Sequence, residues 1–411
     1  MKSEPRGTDI EYLKGMYRTP VEHNWLTKLG RPTLHFIGAL KYGPNPHQAG
    51  AEFESEDSSP ICPITEIYGG KGGASEQNID DVANGLMVVR PFTRPSVTII
   101  KHLGPCAFAT QRKDESLNDL YTSARMSNPK SAFGGIVVLN RPMTRELAEN
   151  MGDTFIDVAA APDFEAGAID ALKAKRKNIR IFEYPADGLQ AIPMFVNEAA
   201  EGVYEFTSLP TGETLVHTPY LTNIRTSEDL ITDPMIVRAC ERYIVARDPT
   251  LEESKDLLDA WWLVRRLRSN ATLVYKNGTL LGTGAGQYDR SGGVELAITL
   301  ALQTALDGKK LREDPDRVAR EGWTRGGSSW KDLLDPLGYN PLEGAVLASD
   351  GFFPFRDSID IAAKMGITAF VQPGGSEKDY ESILATVTDE NGRERKEPLS
   401  LCVTGERGFR H

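Results

Sequence analysis

Short runs of β-branched and aliphatic residues alternate with stretches of helical period along this chain, and that alternation most constrains what it can fold into. Val97 to Ile100 reads as a buried strand, Leu117 to Met126 as a helix, and Ile136 to Leu139 as a strand again. Strands of this kind must be covered by helices, which favours α/β layers over a sandwich or a bundle. Ala168 to Lys177 reads as a helix closed by Lys175-Arg176-Lys177, charges that suit a helix C-terminus, before a strand from Ile179 to Phe182. Residues 185 to 235 break the rhythm with Pro, Gly and Thr and with short alternating runs such as Gly202 to Phe206, so a β-rich connection is expected there. Thr250-Leu251-Glu252-Glu253 is a capping box, and Leu257, Leu258, Trp261, Val264 and Leu267 follow at helical spacing. Asn277-Gly278 between apolar runs predicts a hairpin. A helix from Val294 to Leu306 follows the glycine-rich run Gly282 to Gln287, which lacks both the phosphate-loop Lys-Ser/Thr and a full dinucleotide fingerprint.

Composition narrows the function classes. At 411 residues, with 40% hydrophobic and 26% charged residues, the chain can build two or three domain-sized cores. A net charge of -11 argues against a nucleic-acid groove, and no run reaches the roughly 20 apolar residues of a membrane helix. The N-terminal residues lack the apolar core of a signal peptide, which places the chain in the cytosol. Cys62, Cys106, Cys240 and Cys402 are scattered without a Cys-x-x-Cys pair, the pattern of buried free thiols.

Six histidines occur in the chain, and two of them sit in motifs. Lys41-Tyr42-Gly43-Pro44-Asn45-Pro46-His47-Gln48 is one; Lys101-His102, closing the strand-like run Ser96 to Ile100, is the other. A Lys-His pair at the carboxyl end of a strand lies where open α/β sheets bind ligands, and a histidine suits proton transfer near neutral pH. Taken singly, His47 reads as a turn residue, Lys101 as a lysine with a buried stem, Asn270 as a turn residue and Asp157 as a helix cap.

Ten blocks in order change that balance: Tyr42 to Gln48, Lys101-His102, Ser131 to Gly135, Ala161 to Phe164, Ser269-Asn270, Gly284 to Gln287, Ala348 to Asp350, Phe353 to Asp357, Gln372 to Ser376, and Phe409 to His411. Together they resemble the AICAR transformylase family, the formyltransferase half of a bifunctional purine-biosynthesis enzyme, from about Leu34 to the end. The resemblance implies two cytidine-deaminase-like α/β/α lobes, duplicated and three-layered, at residues 35–184 and 236–411. Residues 1–34 form a leader and 185–235 the connection. Because only about 34 residues precede the matching part, the inosinate cyclohydrolase domain of the bifunctional enzyme is expected to be missing, with a separate cyclohydrolase as functional partner. Zinc deaminase chemistry is set aside, since the chain has no His-x-Glu and no Pro-Cys-x-x-Cys.

By the same resemblance, 10-formyltetrahydrofolate is the cosubstrate and its formyl group passes to the 5-amino group of 5-aminoimidazole-4-carboxamide ribonucleotide (AICAR). His102 is the general base with His47 as relay, Lys101 an oxyanion or leaving-group donor, and Asn270 an orienting amide. Lys41 and Arg407 match phosphate-binding positions, although many relatives carry Arg in place of Lys41. Tyr42, Gly43, Asn78, Phe133, Gly134, Asp157, Phe352, Pro354 and Phe355 match nucleotide-side positions. Arg290, Ser291, Asp357, Ser376 and Glu377 match folate positions, in a segment where Tyr288 to Gly293 departs from the usual run. Gly104 also departs, where the Lys-His motif often continues as Asn-Pro. Some relatives hold a structural potassium ion, which here falls near Val264, Leu267, Ser269 and Asp350; no transition metal is implied. The family forms homodimers with interfacial active sites. Two rivals remain open: a non-catalytic folate- or nucleotide-binding paralogue, and a transformylase with another formyl donor.

Overall fold

A computed structural model of the chain describes residues 34–42, 48–55, 60–70, 72–152, 154–200, 203–325 and 329–410. Eleven strands form one mixed sheet: β1 (Thr65–Tyr68), β2 (Ser96–Lys101), β3 (Gly104–Thr110), β4 (Gly135–Leu139), β5 (Ile156–Ala161), β6 (Arg180–Glu183), β7 (Thr272–Lys276), β8 (Thr279–Gly284), β9 (Val346–Ser349), β10 (Ala369–Gln372) and β11 (Ser400–Val403). Their spatial order is β11-β10-β9-β7-β8-β3-β2-β4-β5-β6-β1.

The order contains one pattern twice. In the first half a hairpin, β2–β3, is followed by β4, β5 and β6 running parallel to one another, with β4 antiparallel to β2. In the second half the hairpin β7–β8 is followed by parallel β9, β10 and β11, with β9 antiparallel to β7. The halves join where β8 meets β3, Thr279 opposite Ala109. An ion-pair cluster reinforces the seam: Arg94 and Arg112 of the first half reach Asp259 at 2.8 Å each, and Arg112 also meets Asp256.

Alternation along the strands splits the core into layers, because successive side chains point to opposite faces. Ile100, Phe108, Ile136, Leu273, Tyr275 and Val346 face a layer built by helices α1 (Glu76–Val89) and α2 (Leu251–Val264), which is continuous across both halves. On the opposite face Val97, Ile99 and Val137 pack under the helices of the first half, including Leu117–Ser127. Val274, Leu347 and Phe370 pack under those of the second, led by α3 (Arg290–Glu313). Helix, sheet and helix make the three-layer α/β arrangement expected from the sequence.

Most elements lie where the pattern put them, including the capping box of Thr250 with Glu253. Three details differ. The helix expected from Val294 to Leu306 runs from Arg290 to Glu313, because Asp289 caps it upstream through the Gly292 N–H. The glycine-rich run is a packing device: a Cβ on Gly284 would lie 1.9 Å from the Gly293 carbonyl oxygen and one on Gly282 2.2 Å from that of Ala297, so glycine lets α3 lie directly on β8. The four cysteines are free, but Cys240 is exposed while Cys402 is buried. Within residues 185–235 the hairpin Glu205–Ser208 with Thr214–His217 supplies the expected β character.

Candidate active site

One edge of the sheet gathers the candidate residues, and strand direction explains why. There β2 ends at Lys101, β4, β5 and β6 begin at Gly135, Ile156 and Arg180, β7 begins at Thr272, and β9, β10 and β11 end. The second half thus offers the carboxyl ends of its parallel strands, the usual ligand side of an open α/β sheet, while the first half offers amino ends and a hairpin tip.

Lys101 and His102 occupy that tip. The sequence places them at the end of a strand, and the chain turns back at once: Lys101 pairs with Gly104 across a two-residue turn, His102-Leu103, with φ of 54° and 68°. Positive φ at both central residues is the twist-matching hairpin turn. His102 is exposed at the turn, and Lys101 donates from Nζ to the carbonyl oxygens of Phe133 (3.0 Å) and Ser131 (3.4 Å). Phe133 stacks on Phe155 with ring centroids 5.0 Å apart, and the Gly134 N–H donates to the Phe155 carbonyl.

Helix α1 carries a polar stripe toward this edge, at Asn78, Asp81 and Asn84. Asn78 Nδ2 donates to Asp157 Oδ2 at 3.2 Å, the buried Asp81 accepts the Leu103 N–H at 2.6 Å, and Asn84 Oδ1 accepts from the Arg410 guanidinium. Burial pushes the Asp81 carboxyl up, and the Leu103 N–H and the charge of His102 pull against it. Asp157, the second residue of β5 and not a helix cap, also receives Arg180 Nη1 at 3.0 Å, and Arg180 Nε reaches the Gly73 carbonyl at 2.8 Å. Lys41 and Tyr42 lie against that same loop: the Lys41 N–H donates to Ala74, and the Glu76 N–H donates to Tyr42. Lys41, Glu66, Gly72 and Gly73 line a cavity of about 200 Å³ beside them. Gly43 and His47 lie outside the described residues.

The second half contributes Asn270, at the turn before β7. Its Nδ2 donates to the carbonyls of Gln287 (3.0 Å) and Tyr288 (3.3 Å), and its Oδ1 accepts from Arg290 Nη2 at 3.0 Å. Arg290 is buried, with its other terminal nitrogen on Asp350 and on the Ala271 carbonyl, so it braces this turn. Ser291 Oγ lies on Asp289 at 3.1 Å. Asp350 Oδ2 accepts from Ser269 Oγ at 2.6 Å. With one oxygen on a guanidinium and the other on a hydroxyl, Asp350 already has its counter-charge, and the donor set near Val264, Leu267 and Ser269 does not fit a potassium ion. Among the described residues, no cluster of His, Cys, Asp and Glu suits another metal.

Phe352 and Arg407 approach through a cation–π contact of 5.8 Å, and Lys378 lies 4.3 Å over the exposed Phe355 ring beyond Pro354. Asp357 opens the following helix. Ser376 is buried, and its N–H donates to Asp379 at 3.0 Å, with Glu377 exposed beside it. The C-terminal tail joins the two halves: Arg410 Nη1 donates to the carbonyls of Leu103 (3.2 Å) and Arg266 (3.1 Å), while its backbone N–H meets Ser269 Oγ at 2.9 Å. Lys41 and Arg407 are not brought together. Lys41 lies by β6 and Arg407 by β9, seven strand spacings apart, or about 30 Å across the sheet at about 4.8 Å per spacing.

Asp81, Arg180 and Arg410 carry much of this geometry and were not singled out from the sequence. The three-residue spacing of Asn78, Asp81 and Asn84, beside the apolar Val82, Leu86 and Val89, was the available signal for the first.

The family model described as AICARFT/IMPCHase bienzyme matches residues 16–300. The chain is 33% identical over 407 residues to the bifunctional purine biosynthesis protein PurH of Magnetococcus marinus, covering 94% of this chain and 64% of that protein. It is 31% identical to PurH of Anoxybacillus flavithermus, over 92% of this chain and 60% of that protein. For PurH of Persephonella marina the identity is 33%, over 90% and 59%. The chain therefore spans about three fifths of the length of these relatives and belongs to the AICARFT/IMPCHase bienzyme family.

Proposed function

We propose that the chain transfers the formyl group of 10-formyltetrahydrofolate to the 5-amino group of AICAR, giving formyl-AICAR and tetrahydrofolate in purine biosynthesis. The observation that carries this reading is the gathering of Lys101, His102 and Asn270 on one sheet edge, stitched together by Arg410, in a chain of this family. The amine is conjugated with the imidazole ring and its carboxamide, so it attacks weakly unless its proton leaves as the new C–N bond forms. His102 takes that proton, Lys101 donates to the oxyanion at the formyl carbon, and the bond to the folate N10 breaks as N10 is protonated. Asn270, held by the 287–290 segment, orients the formyl oxygen or the amine. Lys41, Tyr42, Asn78, Phe133, Gly134, Asp157, Phe352, Pro354, Phe355 and Arg407 form the nucleotide side; Ser291, Asp357, Ser376 and Glu377 form the folate side.

A single phosphate cannot touch both Lys41 and Arg407 across about 30 Å of one sheet. The separation supports a homodimer in which Lys41 of one copy faces Arg407 of the other. No helix of the described chain is long and apolar enough to cross a membrane, in keeping with a cytoplasmic enzyme.

The test is turnover of AICAR and 10-formyltetrahydrofolate by the purified chain, with tetrahydrofolate followed spectrophotometrically and the product weighed by mass spectrometry. Formyl-AICAR supports the reading; bound AICAR without turnover favours another donor or a binding protein. His102→Ala and Lys101→Ala are each expected to lower kcat by about 10² to 10⁴ while AICAR binding stays within about tenfold, because both groups act mainly in the transition state. Near-normal turnover in either variant removes it from the mechanism.

A further inference from the structure

We propose that Asp81 is a positioning residue that acts through His102, by holding the hairpin turn from which the imidazole projects. The inference rests on the formyl-transfer reading for its kinetic arm, and on geometry alone for the rest.

The turn needs an external hold. Both of its residues are left-handed, and Leu103 is not glycine, asparagine, aspartate or histidine, the types that adopt that conformation most readily. Leu103 is gripped on both sides of its peptide units: its N–H donates to Asp81 Oδ1 at 2.6 Å, and its carbonyl accepts from Arg410 Nη1 at 3.2 Å. Arg410 is itself tied to Asn84, one turn further along α1. The turn is thus clamped to a single helix face, by Asp81 directly and by Asn84 through Arg410.

Asp81 is 4% exposed on a helix whose neighbouring positions, Val82, Leu86 and Val89, enter the core. A carboxylate in such a place is costly to keep unless its bonds require it, and a charge-assisted bond to a backbone N–H is among the stronger fixings available to a turn. The residue just upstream of that bond is His102, whose charge acts on the Asp81 carboxylate. Orientation of a catalytic base by a buried carboxylate through the base's own backbone achieves what a side-chain contact achieves elsewhere: the imidazole is restricted to the volume where the amine proton must be collected.

The decisive experiment is a double-mutant cycle with a spectroscopic companion. In Asp81→Ala, kcat is expected to fall about 10- to 100-fold with both KM values within about threefold, since Asp81 is buried and bonds the turn. Placed in a His102→Ala background, the same change is expected to cost less than about twofold more, because the residue it serves is gone. A loss that multiplies undiminished in that background overturns the proposal and makes Asp81 a structural residue only. Where Asp81→Ala does not fold, Asp81→Leu, which keeps the size without an acceptor oxygen, carries both arms. The six histidines permit the companion measurement. The ring Cε1–H resonance of His102, identified by its absence in His102→Ala, is expected to move in Asp81→Ala or Asp81→Leu while the others stay. An unmoved resonance overturns the proposal even if the chain transfers no formyl group, so failure of the functional reading and failure of the positioning role are told apart.

Discussion

At the scale of single residues, the sequence exposed groups able to do chemistry and hid those that hold them. Lys101 and His102 are recognisable by type and by their place after a β-branched run. Asp81, Arg180 and Arg410 are ordinary charged residues until their partners are known, and those partners lie 22, 23 and 307 positions away. Arg290 illustrates the same limit: matched by resemblance to the folate, it is buried against Asp350 and Asn270. Its guanidinium already supplies the counter-charge of Asp350, so thermal midpoints in potassium and in choline chloride at equal ionic strength are expected to coincide. Arg290→Met, which strands the Asp350 charge, is expected to destabilise by about 3–5 kcal/mol in urea unfolding. Asp379 gives a pH prediction. Burial pushes its carboxyl up to about 7, against the pull of the Ser376 and Gly375 N–H groups. The unfolded value is about 4, so between about pH 4 and pH 7 the folded chain holds a proton that the unfolded chain has released. Stability from this group therefore falls as pH rises through that window. Urea midpoints should drop from pH 5 to pH 8, and Asp379→Asn should flatten that drop; an equal drop in the variant would remove Asp379 as its source.

At the scale of elements, period and capping were legible because they are local. Helix α2 was visible from its capping box and its apolar spacing, and the second hairpin from Asn277-Gly278. The first hairpin was not, since His102-Leu103 lacks the glycine that signals such a turn, and only the pairing of Lys101 with Gly104 reveals it. Two turns of one kind thus differ in legibility because one conformation is intrinsic to its residues and the other is imposed by contacts. The glycine-rich segment shows the converse, a readable signal with an ambiguous meaning. Its glycines are spent on the approach of α3 to β8. Gly284→Ala would place a methyl 1.9 Å from the Gly293 oxygen, and is expected to cost at least about 1–3 kcal/mol, read from thermal or urea unfolding. A neutral Gly284→Ala would show that the helix does not rest on that strand.

At the scale of the whole molecule, the repeated strand order and the tail that crosses from β11 back to the first hairpin decide what meets what. Because Lys41 and Arg407 stand so far apart, the proposed dimer makes a sharp prediction. Lys41→Ala and Arg407→Ala, each impaired alone, should regain activity when mixed and allowed to exchange subunits, since each hybrid dimer holds one intact site; at statistical mixing about a quarter of wild-type turnover is expected. No recovery after demonstrated exchange would mean that each site is built within one chain. The sequence by itself determined the α/β class, most element positions and the residues able to move a proton, because these follow from short-range period, capping and side-chain chemistry. Only the tertiary structure decided that the Lys-His pair rides a hairpin tip, that amino ends of one half and carboxyl ends of the other share an edge, and that Asp81 and Arg410 hold them there. Those are contacts between residues far apart in the chain, and no local pattern encodes their meeting.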